Sequence, residues 1–269
     1  MREERLIGKN KFDGNNIGII YSFCIKPWYK YVYHFKIHKL YSDLKQKIDL
    51  LDIDFIHAHT LFSDGALAYK AYKEFGIKYC VAIRNTDVND YIRLLRHTYH
   101  AGREILLNAD KIIFISEGLK KQFVESSFVK SIISKIHHKF EIQPNGIDSY
   151  WHDNISHDVR VGHDVLYIGD FSSNKNVVRL AQAILELRKE KGFEDVRLKI
   201  VGGEKKNRIH VNNGLTQKII DENPGVIIGI GEVYDKDKLV EIMRSCSLFA
   251  MVSIHETFGL VYLESLSQN

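Results

Sequence analysis

The sequence predicts an α/β protein built on two doubly wound parallel sheets. Short apolar runs, typical of buried strands, alternate with longer segments of helical periodicity along the whole chain. Hydrophobic residues make up 45% of the 269 residues and only three are proline, which indicates a packed globular protein. A polar stretch from Ser149 to Asp164 has the periodicity of neither a strand nor a helix, and it divides the alternating pattern into two parts. Strands that alternate with helices of this length form βαβ units, whose strands are parallel.

The predicted elements follow one another in regular order. The strands are Ile17–Phe23, Ile53–His57, Lys78–Ile83, Lys111–Ile115, Phe140–Gln143, Val165–Gly169, Arg197–Val201, Val226–Ile230 and Leu248–Val252. The helices are Tyr29–Leu51, Asp64–Phe75, Asp90–Leu107, Glu117–Glu125, Lys175–Lys191, Val211–Glu222, Asp235–Ser245 and Phe258–Ser267.

Two Rossmann-like domains are expected, at residues 1–148 and 164–269, joined by a hinge at 149–163. Asn145-Gly146 favours a turn at the end of the first domain. The carboxyl ends of the strands of both domains are expected to face a common cleft.

Composition narrows the class of ligand and the compartment. The net charge of +4 suits an anionic small ligand, and no nucleic-acid-binding motif occurs, so no nucleic-acid partner is expected. Cys24, Cys80 and Cys246 are widely spaced and are interpreted as free thiols. The charged start of the chain lacks an apolar signal core, and no run of 18 apolar residues occurs. A cytoplasmic protein is expected.

The segment His255–Leu266 is the most informative about function, and it reads HETFGLVYLESL. Glu256 and Glu264 are eight positions apart, or ~12 Å along a continuous helix. They bracket Gly259 after an apolar run that has the length of a buried strand. A strand, a glycine turn and a helix start form the usual phosphate site of α/β sheets, and carboxylates suit sugar hydroxyls. An ordinary helix surface would also explain the two glutamates.

The chain resembles the retaining glycosyltransferases that have the GT-B fold and an E-x7-E motif, glycosyltransferase family 4 or glycosyl transferases group 1. This resemblance implies a hexosyltransferase-type enzyme that moves a sugar from a nucleoside-diphosphate sugar to a glycan or lipid-linked acceptor, with retention of configuration. It covers most of the chain from about Ile53 onward. The segments that carry it, in the family's order, are Ile56–Gly65, Ile142–Asp148, Tyr167–Asn176 and His255–Glu264.

The resemblance also implies roles for residues on the donor side. Lys175 would contact the donor diphosphate, and Gly169 would lie in the same loop. Phe258, Gly259 and Leu260 would present backbone amides to the phosphate or the sugar. Glu256 would hold sugar hydroxyls as a catalytic residue, and Glu264 would bind the nucleotide ribose.

On the acceptor side, the resemblance implies catalytic roles for His59 and Asp87. The family has a His-Gly turn where this chain has Arg84-Asn85, and an arginine where it has Asp170. An acid cannot bind a phosphate, so Asp170 is expected either to turn away or to weaken donor binding.

No metal or other cofactor is expected, because the donor is a co-substrate. Two Asp-x-Asp sequences, at 52–54 and 235–237, are interpreted as helix or turn caps. The lysine-rich amphipathic helix at 29–51 has two readings that stay open. It packs on the sheet, or it also makes peripheral contact with anionic lipid at the inner membrane face.

Compared with the family pattern, the sequence is expected to be truncated at both ends and both domains to be incomplete. An alternative function follows from this expectation and from Asp170. In that alternative the chain is an inactive remnant that binds nucleotide sugar or glycan without catalysis.

Overall fold

The computed structural model describes residues 20–22, 24, 29, 32–158, 160–204, 214–256 and 258–268. It divides into two compact units, which we call unit 1 (Met1–Pro144) and unit 2 (Asn145–Asn269). Within the described ranges, no helix is both long enough and apolar enough to cross a bilayer.

Unit 1 is built on a sheet of four parallel strands in the sequential order β1-β2-β3-β4. The strands are β1 (Phe55–Ala58), β2 (Lys78–Ile83), β3 (Lys111–Phe114) and β4 (Phe140–Ile142). The helices are α1 (Tyr33–Lys47), α2 (Asp64–Phe75), α3 (Tyr99–Asn108), α4 (Glu117–Glu125) and α5 (Ile133–Ile136). Single turns of 3₁₀ or π helix lie at Leu50–Asp52, Asp87–Ile92, Arg96–Thr98 and His137–Lys139.

Local chemistry explains the bounds of these elements. In β2 every residue after Lys78 is buried, as expected for an inner parallel strand that is covered on both faces. Helix α2 ends at Gly76, whose left-handed backbone (φ 75°) lets its N–H bond to the Tyr72 carbonyl. The Ser116 hydroxyl accepts the Leu119 N–H and caps the start of α4.

Unit 2 has four parallel strands in the order β7-β6-β5-β8. The strands are β5 (Asp164–Ile168), β6 (Arg197–Val201), β7 (Ile227–Gly231) and β8 (Leu248–Phe249). The helices are α6 (Ser149–Asp153), α7 (Val177–Leu187), α8 (Leu215–Glu222), α9 (Lys236–Arg244) and α10 (Leu260–Leu266), with a 3₁₀ turn at Ser173–Lys175.

The strand order of unit 2 reverses beside β5. The chain adds β6 and β7 on one side of β5, and then returns to place β8 on the other side. In an open α/β sheet such a reversal separates the loops that follow the two strands and leaves a crevice at their carboxyl ends, where ligands bind. In unit 2 this position lies between the loops that follow β5 and β8.

Side chains of unit 2 pack on both faces of its sheet because successive strand residues point to opposite faces. Tyr167 lies in one core with helix α7, whereas Leu166 lies in the other core with Val240 and Met243 of α9. Trp151 of α6 is also buried in the second core, at 2% exposure.

Trp151 lies at the start of the segment predicted as a hinge, 149–163, and is buried in unit 2. The units divide after Pro144, and the start of the expected hinge is a helix packed on unit 2. Its cap is Asp148, whose carboxylate accepts the Tyr150 N–H at 2.9 Å. A single tryptophan buries enough apolar surface to fix a five-residue helix that local periodicity does not reveal.

The other differences from the predicted elements are local. Helix α7 starts at Val177 because Asn176 has a left-handed backbone (φ 57°). The predicted helix Asp90–Leu107 is a π turn, a 3₁₀ turn and then α3. Strand β8 ends at Phe249, before the predicted Val252. Most of the predicted strand Ile17–Phe23 lies outside the described residues, as does the start of the helix predicted at Val211.

Candidate active site

The loops that follow β5 and β8 are hydrogen-bonded to each other at the switch point of unit 2. The Asn174 side chain donates to the His255 carbonyl at 2.8 Å and accepts the His255 N–H at 3.1 Å. The Asn174 carbonyl accepts the Ile254 N–H at 2.8 Å. These three bonds fix the β8 loop against the 3₁₀ turn that carries Lys175.

Lys175 and Glu256 form an ion pair across the two loops. Their Nζ and Oε2 atoms are 2.6 Å apart, and the side chains are 22% and 29% exposed. The Lys175 ammonium also lies 3.8 Å from the Met251 sulfur. A partly exposed pair contributes little to stability. The ion pair holds one cation and one carboxylate beside the crevice between the loops that follow β5 and β8.

Gly259 lies beside the same pair, at the start of α10. Its backbone is left-handed (φ 67°), and a Cβ at this position would lie 3.3 Å from Glu256 Cγ and 2.6 Å from the Tyr262 ring. Tyr262 is held in turn by donating its hydroxyl to the Met251 carbonyl. The structure therefore brings together Lys175, Glu256 and Gly259, which the sequence placed on separate loops. Phe258 and Leu260 flank Gly259 and are not fully buried.

Glycines lie at the ends of three neighbouring strands of unit 2. Gly169 follows β5, Gly202 follows β6, and Gly231 ends β7. A Cβ on Gly202 would lie 1.8 Å from the Gly169 carbonyl oxygen. Gly169 donates to the Val201 carbonyl at 3.0 Å, and Gly202 to the Gly231 carbonyl at 2.9 Å. Sequence reasoning found only Gly169; the signal for the second was the Val-Gly-Gly sequence after a predicted strand.

Asp170, where the resemblance implies an arginine, is bound within its own loop. Its carboxylate accepts the Ser172 N–H at 3.1 Å, and its carbonyl accepts the Tyr167 hydroxyl at 2.7 Å. Burial, followed by the negative charges of Asp170 and Glu256, raises the pKa of Tyr167. Asp170 thus shapes the turn that leads to Lys175.

Glu264, the second glutamate of the motif, lies in a different environment from Glu256. Burial raises its pKa, the positive charge of Lys236 opposes this rise, and the negative charge of Asp148 adds to it. Lys236 itself donates to Asp148 at 2.8 Å. Sequence reasoning missed this Asp148–Lys236 pair, because the two residues are far apart along the chain.

In unit 1, Asp87 is almost fully buried, at 1% exposure. Its carboxylate accepts the backbone N–H groups of Leu61 (3.0 Å), Phe62 (3.2 Å) and Arg84 (2.9 Å). It therefore connects the loop after β1 to the loop after β2. This arrangement suits a residue that positions the two loops, rather than one that contacts substrate itself. Burial raises the pKa of Asp87 to about 6 against the opposing effect of these three donors.

The pKa of Asp87 predicts how its charge affects stability. The pKa of Asp87 in the folded protein, about 6, lies above the ordinary 3.8, so the protonated carboxyl favours the folded state. Its contribution to the free energy of unfolding is fully present below pH 3.8 and is lost as the pH rises through 6. The two-unit shift corresponds to about 3 kcal/mol. Urea unfolding of the wild type and of Asp87→Asn from pH 4.5 to 7.5 measures it. We expect the wild type to lose stability relative to the variant as pH rises; the opposite slope would mean that the three donors outweigh burial.

His59, the other residue predicted on the acceptor side, is exposed directly after β1. Its ring stacks on that of His57, with centroids 4.6 Å apart. The Arg84 Nε donates to the His59 carbonyl at 3.2 Å.

The Asp-x-Asp sequence at 235–237 makes structural contacts. Asp235 caps α9 by accepting the Lys238 N–H, and Asp237 accepts the Tyr150 hydroxyl. Asp52 lies in a 3₁₀ turn. In the part of the chain that the structure describes, no group of three or more His, Cys, Asp or Glu side chains is arranged to hold a metal ion.

Each of the two units matches a model of a known protein family. The family model described as "Glycosyltransferase Family 4" matches residues 8–151, and "Glycosyl transferases group 1" matches residues 162–269. An uncharacterized glycosyltransferase of Methanocaldococcus jannaschii is 24% identical over 223 residues, which are 83% of this chain and 56% of the relative. The chain thus spans little more than half the length of that protein.

Among solved structures, one described as "Trehalose-6-phosphate from E. coli bound with UDP-2-fluoro glucose" has a TM-score of 0.67 at 12% identity. The match covers 90% of this chain and 61% of that one. A second, from a study of glycosyltransfer with retention by trehalose-6-phosphate synthase, has a TM-score of 0.65 at 12% identity and covers 91% and 62%. Likeness at this identity shows the fold, and it is the GT-B class that the sequence predicted. Since the first family model alone spans more than half of the chain, the protein belongs to glycosyltransferase family 4.

Proposed function

We propose that the protein transfers a hexose from a nucleoside-diphosphate sugar to a glycan or lipid-linked acceptor with retention of configuration. The observation that carries this proposal is the meeting of Lys175, Glu256 and Gly259 at the switch point of unit 2. Phosphate ligands of α/β sheets bind at such a point. Retention is supported by the family to which the chain belongs and by the similarity to a synthase studied for glycosyltransfer with retention.

The donor diphosphate would bind where Lys175 and the amides of the 258–260 turn meet. Lysine is a compact charge that suits a phosphate. Helix α10 has only seven residues, so the lysine is expected to supply most of the attraction. Stabilising the diphosphate as it leaves would be the largest catalytic effect.

The ion pair gives Glu256 a defined part in this step. In the structure its carboxylate is bound to Lys175 at 2.6 Å. A diphosphate would compete for the Lys175 ammonium and release Glu256 to accept hydrogen bonds from sugar hydroxyls. Glu264, half-buried and eight positions on, would take the ribose hydroxyls. No metal is needed for these contacts.

Acceptor binding is assigned to unit 1, near His59. Asp87 would act by holding the loops after β1 and β2 in place. Peripheral contact with anionic lipid through the helix at 29–51 stays a prediction. Among the described residues, three of its lysines are already bound within the protein, Lys36 to Ser63, Lys45 to Glu74 and Lys47 to Asp43. Sedimentation with anionic liposomes at low salt tests this contact.

Calorimetric titration of the full chain with UDP, GDP and ADP tests the donor site. We expect one of the three to bind at a single site and the corresponding nucleotide sugar to be consumed. The anomeric configuration of the product, read by NMR, then tests retention. Binding without any turnover would favour the alternative of a non-catalytic binding protein. Absence of binding by all three would contradict the proposal.

A further inference from the structure

Three basic side chains lie together at the carboxyl edge of the first sheet. His57 is on β1, His59 follows β1, and Arg84 follows β2. The two strands are neighbours in parallel register, with Ala58 beside Val81, so their ends open onto the same edge. The bond from Arg84 Nε to the His59 carbonyl holds the guanidinium beside the imidazoles. We call these residues the basic cluster.

The imidazoles are held face to face in a way that disfavours two positive charges. Their planes are 19° apart and both residues are exposed. Partial burial, then the positive charges of His59 and Arg84, lowers the pKa of His57. Mutual repulsion of this kind is relieved when an anion binds beside the positive groups, because an opposite charge favours their charged forms.

Nearby carboxylates do not neutralise the imidazoles. Asp87 is buried and accepts three backbone N–H groups, and Asp64 accepts the Thr60 hydroxyl at 3.1 Å. Neither His57 nor His59 forms an ion pair with a carboxylate among the residues that the structure describes.

A further cation reaches the same loops from helix α1. The Lys36 ammonium donates to the Ser63 hydroxyl at 2.7 Å and to the Tyr91 hydroxyl at 3.2 Å. Ser63 precedes α2 but makes no cap bond with its side chain. Lys36 therefore adds positive charge beside the loop that follows β1.

We propose that the basic cluster binds an anionic group, and that the acceptor of this enzyme therefore carries a phosphate. Arginine presents a planar fork that fits two phosphate oxygens, and two imidazoles add donors from the adjacent strand end. The identification of the anion as part of the acceptor rests on the proposed function; the binding of the anion does not.

Inorganic phosphate is the probe, added to the whole 269-residue chain labelled with ¹⁵N at histidine. We expect the ring signals of His57 and His59, assigned with His57→Gln and His59→Gln, to shift saturably and the apparent pKa of His57 to rise. Arg84→Gln should weaken binding by about tenfold, or 1.4 kcal/mol. Arg96→Gln is the matched control, with the ring of its neighbour His97 as the internal reference.

The proposal is overturned if the His57 and His59 signals shift no more than that of His97, or if Arg84→Gln binds phosphate as well as Arg96→Gln does. Lys175→Met should leave these shifts unchanged, because Lys175 is not part of the basic cluster. Nucleoside-diphosphate binding without phosphate binding here overturns only this inference. Phosphate binding here in a protein that binds no nucleoside diphosphate overturns the proposed function and, with it, the phosphate-bearing acceptor.

Discussion

Lys175→Met is expected to lower kcat/KM for sugar transfer by about two to three orders of magnitude, or about 3–4 kcal/mol. The reason is that the Lys175 ammonium is the cation that the structure holds beside Glu256 and Gly259, where the leaving diphosphate would carry its charge. Glu256→Gln should lower transfer severely as well, because an amide cannot replace both carboxylate acceptors. Steady-state rates with the nucleotide sugar found by calorimetry measure both effects.

A matched control lies on the surface of the same unit. Lys189 and Glu186 form an ion pair at 2.8 Å, with both side chains about two thirds exposed or more. Lys189→Met and Glu186→Gln should leave kcat/KM nearly unchanged. Lys189→Met and Glu186→Gln should also keep stability within about 1 kcal/mol of the wild type, as is usual for exposed pairs. Equal rates in Lys175→Met and Lys189→Met would contradict a role for Lys175.

Gly202→Ala is expected to destabilise unit 2 by about 3–5 kcal/mol. The backbone at Gly202 has φ 139°, which other residues rarely adopt, and the new Cβ would lie 1.8 Å from the Gly169 carbonyl oxygen. The Cβ would be fixed to the backbone at the end of β6, and the carbonyl oxygen belongs to the backbone at the end of β5. Neither segment can move without disturbing the β5–β6 pairing. Urea unfolding followed by tryptophan fluorescence measures this loss of stability. In a Trp28→Phe background the signal comes from Trp151, which is buried in unit 2.

Gly192 provides the control for this substitution. It also has a positive φ, 93°, but nothing lies within 4 Å of a Cβ built there. Gly192→Ala should therefore cost only about 1 kcal/mol, the usual penalty for an L-residue in this backbone region. If the two variants were equally stable, the close approach of Gly202 and Gly169 would not exist in solution.

Strands and helices with strong periodicity could be predicted from the sequence nearly to the residue. β2, β6, α2 and α4 have the predicted bounds, because an apolar run or a helical stripe and its cap residues are local signals. The helix at 149–153 could not be found in this way. It depends on Trp151 entering a core formed by residues that are distant in sequence.

The candidate site was predictable in its residue types and not in its arrangement. The Glu256–Glu264 spacing and the Lys175 loop are visible in the sequence, but the return of β8 to the other side of β5 is not. That strand order is what places Lys175 beside Glu256. The glycine at 202 and the Asp148–Lys236 pair beside Glu264 likewise depend on contacts between distant segments.

Amide hydrogen exchange of the full chain, with and without the nucleoside diphosphate that binds, tests the central claim most directly. If the diphosphate is held between the loops after β5 and β8, exchange should slow in residues 169–177 and 254–260 together. Helix α4 in unit 1 should be unaffected. Protection that is confined to other segments, or slowed exchange in only one of the two loops, would contradict this assignment of the donor site.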